Sequence, residues 1–234
     1  MTAVWGKRDD MIVHIEDPYN AEPPRSALDA HGLTPVDTFY VRAHGDVPEA
    51  DADTWTVRID GMVERPATLS LREMRSLFTE HTEVATLQCA GNRRAGLLEV
   101  ADIPGEAPWG PAATATARWA GIRLADLLRH VGADPDATDV AFTGADISTE
   151  PDEPQPFGGS VPIRKARESE VLLAWSMNDE PLAPVHGAPL RVVVPGYIGA
   201  RSVKWLRHIT VQDRPSENFF QAKTYRLLPP DAEQ

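Results

Sequence analysis

The chain has 234 residues, a formal net charge of −12 and an ordinary globular composition, with 42% hydrophobic and 25% charged residues. This length allows one large domain or two small ones, and the composition excludes a disordered chain. The acidic balance disfavours nucleic acid or an anionic membrane as the main partner, although it leaves room for a locally basic pocket. The single cysteine excludes an intrachain disulfide and any site that needs several cysteine ligands.

The first part of the chain, residues 1–37, is interrupted by proline and glycine and predicts an extended lead-in. It has no apolar signal-peptide core, and no stretch approaches the length of a membrane span. We therefore expect a cytoplasmic protein without a membrane partner.

The remaining elements form one mixed domain over residues 38–226, followed by an unstructured tail at 227–234. Runs of β-branched and aromatic residues predict strands at 38–44, 54–63, 83–89, 139–144, 170–177, 189–195 and 203–212. Helices are expected at 70–78, which begins with a Ser70–Glu73 capping box, at 121–132, which ends at Gly132, and near 162–168. Residues 144–162 predict a long acidic loop. Strands outnumber helices without regular alternation, and this favours an α+β fold.

Cys89 is the first candidate for chemistry. It ends a predicted strand, and Ala90 and Gly91 allow a tight turn before Arg93 and Arg94. Two nearby arginines could stabilise a thiolate. The alternative is a buried cysteine that serves only as a small apolar side chain.

Two further clusters are basic. Arg42 and His44 lie two residues apart on a predicted strand, so both would point to one face and could bind an anion. The other cluster runs from His186 through Arg191 to Arg201 and Lys204, with glycines at 187, 196 and 199. It could form a phosphate cradle of backbone and basic groups, although it matches no dinucleotide or Walker motif. The alternatives are an exposed polar face for the first cluster and a core strand with solvated ends for the second.

Four motifs taken together resemble the molybdopterin-binding domain of the sulfite oxidase family. They are DPYNAEPP, TLQCAGNRR, ARWAGIRLADLL and HGAPLRVVVPGYIGARSVKWL, in the family's order. The resemblance extends from about Met11 to Tyr225. It implies the α+β fold of that family and one molybdenum, held by a molybdopterin dithiolene and by the Cys89 thiolate. Molybdenum favours such soft sulfur ligands.

The resemblance also implies roles for individual residues. Arg42, Arg94, Tyr225 and Cys89 would be the catalytic residues, with Tyr225 next to the metal. Substrate binding would fall to Arg42, Arg94, Trp109 and Lys204. Cofactor contacts would come from Phe39, Tyr40, Val41, Arg42, His44, Asp146, His186, Arg191, Ser202, Val203 and Lys204. Ala43 stands where the family usually has asparagine.

The activity that the resemblance implies is oxygen-atom transfer, which oxidises sulfite or a similar small oxyanion to sulfate. Two electrons would pass to an external acceptor such as a cytochrome, a quinone or oxygen. One alternative is reduction of an S-oxide or N-oxide on the same fold, and another is a truncated domain that binds the cofactor without turnover. The immunoglobulin-like dimerisation domain and the haem domain of other members are not expected in this chain, and no CxxCH motif for covalent haem occurs.

Overall fold

The computed structural model describes residues 4–28 and 32–226. Along these residues the strands are β1 (Ile12–Ile15), β2 (Asn20–Glu22), β3 (Thr56–Gly61), β4 (Ala67–Ser70), β5 (His81–Gln88), β6 (Thr114–Arg123), β7 (Asp139–Ser148), β8 (Gln155–Pro162), β9 (Leu172–Met177), β10 (Glu180–Pro181), β11 (Arg191–Val193) and β12 (Leu206–Gln212). The α-helices are α1 (Leu71–Leu77), α2 (Arg94–Leu97), α3 (Leu124–Val131) and α4 (Ile163–Ala166). The predicted α+β class is confirmed. No helix of the described residues has the length and apolarity that crossing a membrane requires.

The strands form two five-stranded sheets and a hairpin of β1 and β2. One sheet is antiparallel, in the order β10–β9–β6–β5, with β11 also paired to β9. The other has the order β4–β3–β12–β7–β8, in which only the β3–β12 pair is parallel. Consecutive residues of β9 face two different hydrophobic clusters: Leu173 packs in the cluster shared with the mixed sheet, and Leu172 and Ala174 in the other. Burial on both faces explains why β9 is almost continuously apolar.

Several local predictions are confirmed. Helix α1 begins with a complete capping box, in which Ser70 Oγ accepts from the Glu73 backbone and the Glu73 carboxylate accepts from the Ser70 backbone. Helix α3 ends at Gly132, which adopts a left-handed conformation with φ of 67°. The strand before Cys89 is present as predicted, and its side chains alternate, since Ala85, Leu87 and Cys89 are all buried.

The predicted strand over 38–44 is wrong. Here the chain forms a turn and then only isolated bridges, Val41 to Ala21 and Gly45 to Ser148. The side-chain amide of Asn20 takes the place of a neighbouring strand, because it accepts from Ala43 N at 2.9 Å and donates to Ala43 O at 3.0 Å. These bonds satisfy the backbone without a ladder.

The predicted loop over 144–162 is also wrong. β7 continues to Ser148 and pairs with β8, which leaves a connection of residues 149–154. Gly158 and Gly159 belong to β8, where a Cβ at Gly158 would press on the Phe142 carbonyl oxygen. Glycine therefore marks close backbone approach here, and not a loop.

Two other boundaries differ from the predictions. Residues 121–123, expected to open a helix, end β6 instead. The lead-in over 1–37 contains the β1–β2 hairpin and a buried lysine, Lys7. The tail at 227–234 lies outside the described residues.

Candidate active site

One cavity collects residues that are distant along the chain. The side chains that carry its chemistry come from five parts of the chain. These are the segment after Thr38, strand β7, the turn that follows β5, the segment around β11 and the stretch before Arg226. Most of the predicted site residues line it, namely Phe39, Tyr40, Val41, Arg42, His44, Cys89, Asp146, His186, Arg191, Ser202, Lys204 and Tyr225. The fold thus brings the three sequence clusters together around one space.

Cys89 lies at the end of β5 with its thiol in the cavity wall and only 7% of the residue exposed. Its backbone N–H donates to Ala113 O at 2.9 Å, and Gly91 N donates to its sulfur at 3.4 Å. Burial raises the pKa of the thiol, against the opposing effects of the Gly91 N–H, Arg42 and Arg94. The thiol is therefore protonated at neutral pH and would lose its proton on binding a metal ion.

Arg42 and His44 meet in the cavity although they do not lie on a strand. Arg42 Nη2 is 3.0 Å from His44 Nδ1, and Glu150 Oε1 is 2.6 Å from the same nitrogen. On the other side of the ring, His44 Nε2 is 2.8 Å from the Tyr225 hydroxyl oxygen. Burial lowers the pKa of His44 to about 4 and raises that of Tyr225 to about 12, so both are neutral at pH 7.

A cationic wall of Arg191 and Lys204, joined by the neutral side chain of His186, forms another part of the cavity. Arg191 is held by backbone acceptors, with Nη1 donating to His186 O at 2.8 Å and Nη2 to Ser202 O at 3.0 Å. Burial lowers the pKa of Lys204 to about 7, and neighbouring Arg191 adds to the effect. An anion bound against this wall would relieve the repulsion between these groups.

Asp146 faces the same space from β7. Its Oδ1 is buried and has no hydrogen-bond partner within the described part of the chain. Burial raises the pKa of its carboxyl to about 6, opposed by Lys204. Buried polar atoms are rarely left unpaired, so this oxygen points to a ligand with a hydrogen-bond donor.

Lys7 supports the cationic wall from behind. Its Nζ donates to Val36 O at 2.5 Å and Phe39 O at 2.9 Å, and lies 2.6 Å from His186 Nε2. These acceptors match the three N–H bonds of an ammonium group. When Lys7 is an ammonium group it donates to His186 Nε2, which is then the acceptor.

Three predicted site residues do not line the cavity. The Arg94 guanidinium donates to Ala107 O at 2.9 Å and pairs with Glu106 at 3.0 Å, close behind Gly91. Trp109 is buried, with its ring 4.7 Å from His14 and 6.5 Å from Tyr40. Val203 is buried beside the wall, and its carbonyl accepts from Val192 N. Their predicted roles stay predictions.

Sequence reasoning missed Lys7, Asn20 and Glu150. Each reaches the site through a contact across the fold, such as the separation of 179 residues between Lys7 and His186. Only Asn20 gave a signal, because it lies in the DPYNAEPP motif.

The fold and sequence match known proteins. Sulfite oxidase of Arabidopsis thaliana is 42% identical over 96% of this chain, and that of Gallus gallus is 41% identical over 93%. A nitrate reductase [NAD(P)H] of Hordeum vulgare is 42% identical over 96% of the chain. The chain spans 59%, 48% and 26% of the lengths of these relatives.

A solved structure and a family model agree with these relatives. The sulfane dehydrogenase SoxCD from Paracoccus pantotrophus superimposes with a TM-score of 0.77 at 27% identity, covering 92% of this chain and 52% of that one. The model of the oxidoreductase molybdopterin binding domain matches residues 44–220. The chain therefore belongs to the family of oxidoreductase molybdopterin-binding domains.

Proposed function

We propose that this protein oxidises sulfite, or a similar small oxyanion, by oxygen-atom transfer at a molybdenum–molybdopterin cofactor. The observation that carries the proposal is the cavity itself, where the Cys89 thiol shares one space with Arg42 and with the buried cationic wall. A soft metal ligand next to cations suits a metal cofactor that bears a phosphate and acts on an anion.

The residues present fit this cofactor. His186, Arg191 and Lys204 would hold its phosphate, and the unpaired Oδ1 of Asp146 would accept from an N–H of the pterin. Cys89 would be the protein's ligand to the metal. When bound, the molybdenum centre supplies the exchange of one oxygen atom and two electrons.

The substrate would bind at the other side of Cys89. Arg42 is the cation at this end, with its side chain 22% exposed, and its planar guanidinium suits an oxyanion better than an ammonium group does. Tyr225 would border the bound anion, where its hydroxyl oxygen can accept a hydrogen bond from water or from a protonated oxygen of the anion, since its own O–H faces His44 Nε2. Arg94 would add positive charge from behind the Gly91 turn, and Trp109 would fix Tyr40 in place.

A reduction is the second candidate, because the nitrate reductase of Hordeum vulgare is as similar to the chain as the plant sulfite oxidase. Arg42 and the surrounding cations would accept nitrate as well as sulfite. S-oxide and N-oxide reduction belong to the same candidate.

Parallel assays separate these reactions. Molybdenum-loaded protein is given sulfite with ferricyanide, and separately nitrate or methionine sulfoxide with a reduced viologen dye. We expect turnover with sulfite, and loss of at least 90% of it in Cys89→Ser because a hydroxyl is a poor molybdenum ligand. Nitrate or sulfoxide turnover without sulfite turnover would contradict the proposal.

Two further parts of the proposal concern the protein's surroundings. The physiological acceptor would be an external one-electron carrier, and the location would be the cytoplasm. Both are tested by fractionating the cells that make the protein. Each soluble and membrane fraction is then assayed for sulfite-dependent reduction of its electron carriers. Activity confined to a compartment outside the cytoplasm would contradict the location.

A further inference from the structure

The side chains of Tyr225, His44 and Glu150 form a hydrogen-bonded chain that leads from the cavity towards solvent. The Tyr225 hydroxyl lines the cavity, 2.8 Å from His44 Nε2, and His44 Nδ1 is 2.6 Å from Glu150 Oε1. Glu150 is the end that reaches solvent, because the His44 side chain is 7% exposed and that of Glu150 is 44% exposed. We propose that Tyr225, His44 and Glu150 are a proton relay, with Glu150 as its solvent terminus.

The direction of each hydrogen bond follows from the acceptor at the solvent end. The hydrogen bond from His44 and the charge of Arg42 outweigh partial burial and keep the pKa of Glu150 below its usual range, so it is a carboxylate that can only accept. His44 Nδ1 has two neighbours, Glu150 Oε1 at 2.6 Å and Arg42 Nη2 at 3.0 Å. The carboxylate is the shorter contact, and Arg42 can pair with it instead of with the ring, so Nδ1 carries the proton and donates to Glu150. His44 is neutral, so Nε2 is left as an acceptor, and Tyr225 donates to it.

Two aromatic side chains pack against the ring of His44. It stacks on Phe157 with ring centroids 5.0 Å apart and an interplanar angle of 11°, and Phe220 packs at 4.3 Å. These contacts hold the imidazole in this orientation while a proton crosses it. A proton can then cross it only by arriving at Nε2 while another leaves Nδ1.

This inference rests on the proposed function, because that reaction makes protons inside the cavity. Sulfite and water become sulfate, two protons and two electrons, and the electrons leave to the external acceptor. The Tyr225 hydroxyl passes its hydrogen to His44 Nε2 as Nδ1–H passes to Glu150, which leaves the imidazole in its Nε2–H form. Tyr225 then recovers a proton from water in the cavity, and Glu150 releases one to solvent. The imidazole returns to its Nδ1–H form, by turning in its pocket, before a second proton crosses.

The charged groups around the relay favour export. Arg42 Nη2 lies 3.6 Å from Glu150 Oε1, and Lys204 opposes a positive charge on His44. A proton is therefore disfavoured on His44 itself. The imidazole conducts the proton and does not store it.

The test compares Glu150→Gln with Glu153→Gln, which removes an exposed carboxylate from the same connection. A glutamine oxygen can still accept from His44 Nδ1, but it cannot take the proton. With molybdenum-loaded protein, sulfite and ferricyanide, we expect kcat per molybdenum to fall about tenfold or more in Glu150→Gln, without a rise in KM. Added imidazole buffer should restore kcat in a concentration-dependent way. Glu153→Gln should stay within about twofold of the wild type and show no dependence on buffer.

Unchanged kcat in Glu150→Gln would overturn the relay. So would a raised KM with no buffer rescue, because that pattern would mean that Glu150 only positions Arg42. Glu150→Asp, which keeps an ionisable group, should recover part of the lost kcat.

Nitrogen-15 NMR of the same protein labelled at histidine tests the relay without turnover. His44 should be the neutral Nδ1–H tautomer in the wild type and in Glu150→Gln, and should shift towards Nε2–H in Glu150→Leu. A wild-type His44 protonated on Nε2 would contradict the relay. Absence of sulfite turnover by loaded wild-type protein would instead contradict the proposed function, and the tautomer would still report on the hydrogen-bonded chain.

Discussion

Single buried residues set the chemistry of the cavity. Cys89 is protonated when no metal is present, because burial outweighs the help of Arg42 and Arg94. The protonated thiol is less easily oxidised than a thiolate. The positive charge of a bound metal ion would remove its proton and allow it to coordinate the metal. Burial also disfavours the charged form of Lys7, but three hydrogen-bond acceptors surround its Nζ and favour the ammonium group.

The burial of Lys7 should make the unfolding free energy of the protein depend on pH. Burial lowers its pKa from 10.5 to about 7, against an attraction from Asp37. Between these values the unfolded chain binds more protons than the folded protein, so the unfolding free energy rises with pH by at most about 1.4 kcal/mol per pH unit. In denaturant titrations from pH 7 to 9, Lys7→Met should show a smaller rise than the wild type. The exposed Lys223→Met is the control, and an equal rise in all three proteins would refute the assignment.

A substitution at Arg42 tests how much its planar guanidinium contributes to binding of the substrate. Arg42→Lys keeps the charge but loses the two-pronged geometry that suits an oxyanion. We expect KM for sulfite to rise about tenfold, which corresponds to about 1.4 kcal/mol of lost binding. Steady-state kinetics at matched molybdenum content measure it. If KM stays at the wild-type value, Arg42 does not bind the substrate.

At the scale of elements, local sequence signals predict where helices begin and end, but they do not predict which strands pair. The Ser70 capping box and the Gly132 terminus depend on residues within a few positions, so α1 and the end of α3 were predicted from the sequence. The β7–β8 hairpin was missed because its proline and glycine residues resemble a loop until the partner strand is known. The segment after Thr38 was assigned to a strand because nothing local shows that Asn20 replaces its partner.

The capping box gives a prediction at this scale. Ser70→Ala removes the side chain that accepts from Glu73 N at 3.2 Å and leaves one end of α1 uncapped. We expect a loss of about 1 kcal/mol in unfolding free energy. Chemical denaturation should show it, with Ser76→Ala, an exposed change within the same helix, as the control. Equal stability of Ser70→Ala and the wild type would show that packing alone sets the start of α1.

At the scale of the molecule, the site exists only because distant segments meet. His44 and Tyr225 are 181 residues apart, and Lys7 reaches His186 from near the first residue. The sequence predicted the basic clusters separately, and the family resemblance supplied the expectation that they share one site. Neither could supply Lys7 or Glu150, since these residues belong to no quoted motif and their contacts depend on tertiary structure.

Cys89 and its surroundings are proposed to hold a molybdenum cofactor that sulfite reduces. The most direct test measures molybdenum content and the paramagnetic resonance of the protein, expressed in a cofactor-competent host, before and after sulfite is added. We expect close to one molybdenum per chain and a signal that changes with sulfite, both greatly reduced in Cys89→Ser. A protein loaded with molybdenum whose signal ignores sulfite, or one that takes up no molybdenum, would contradict the proposal.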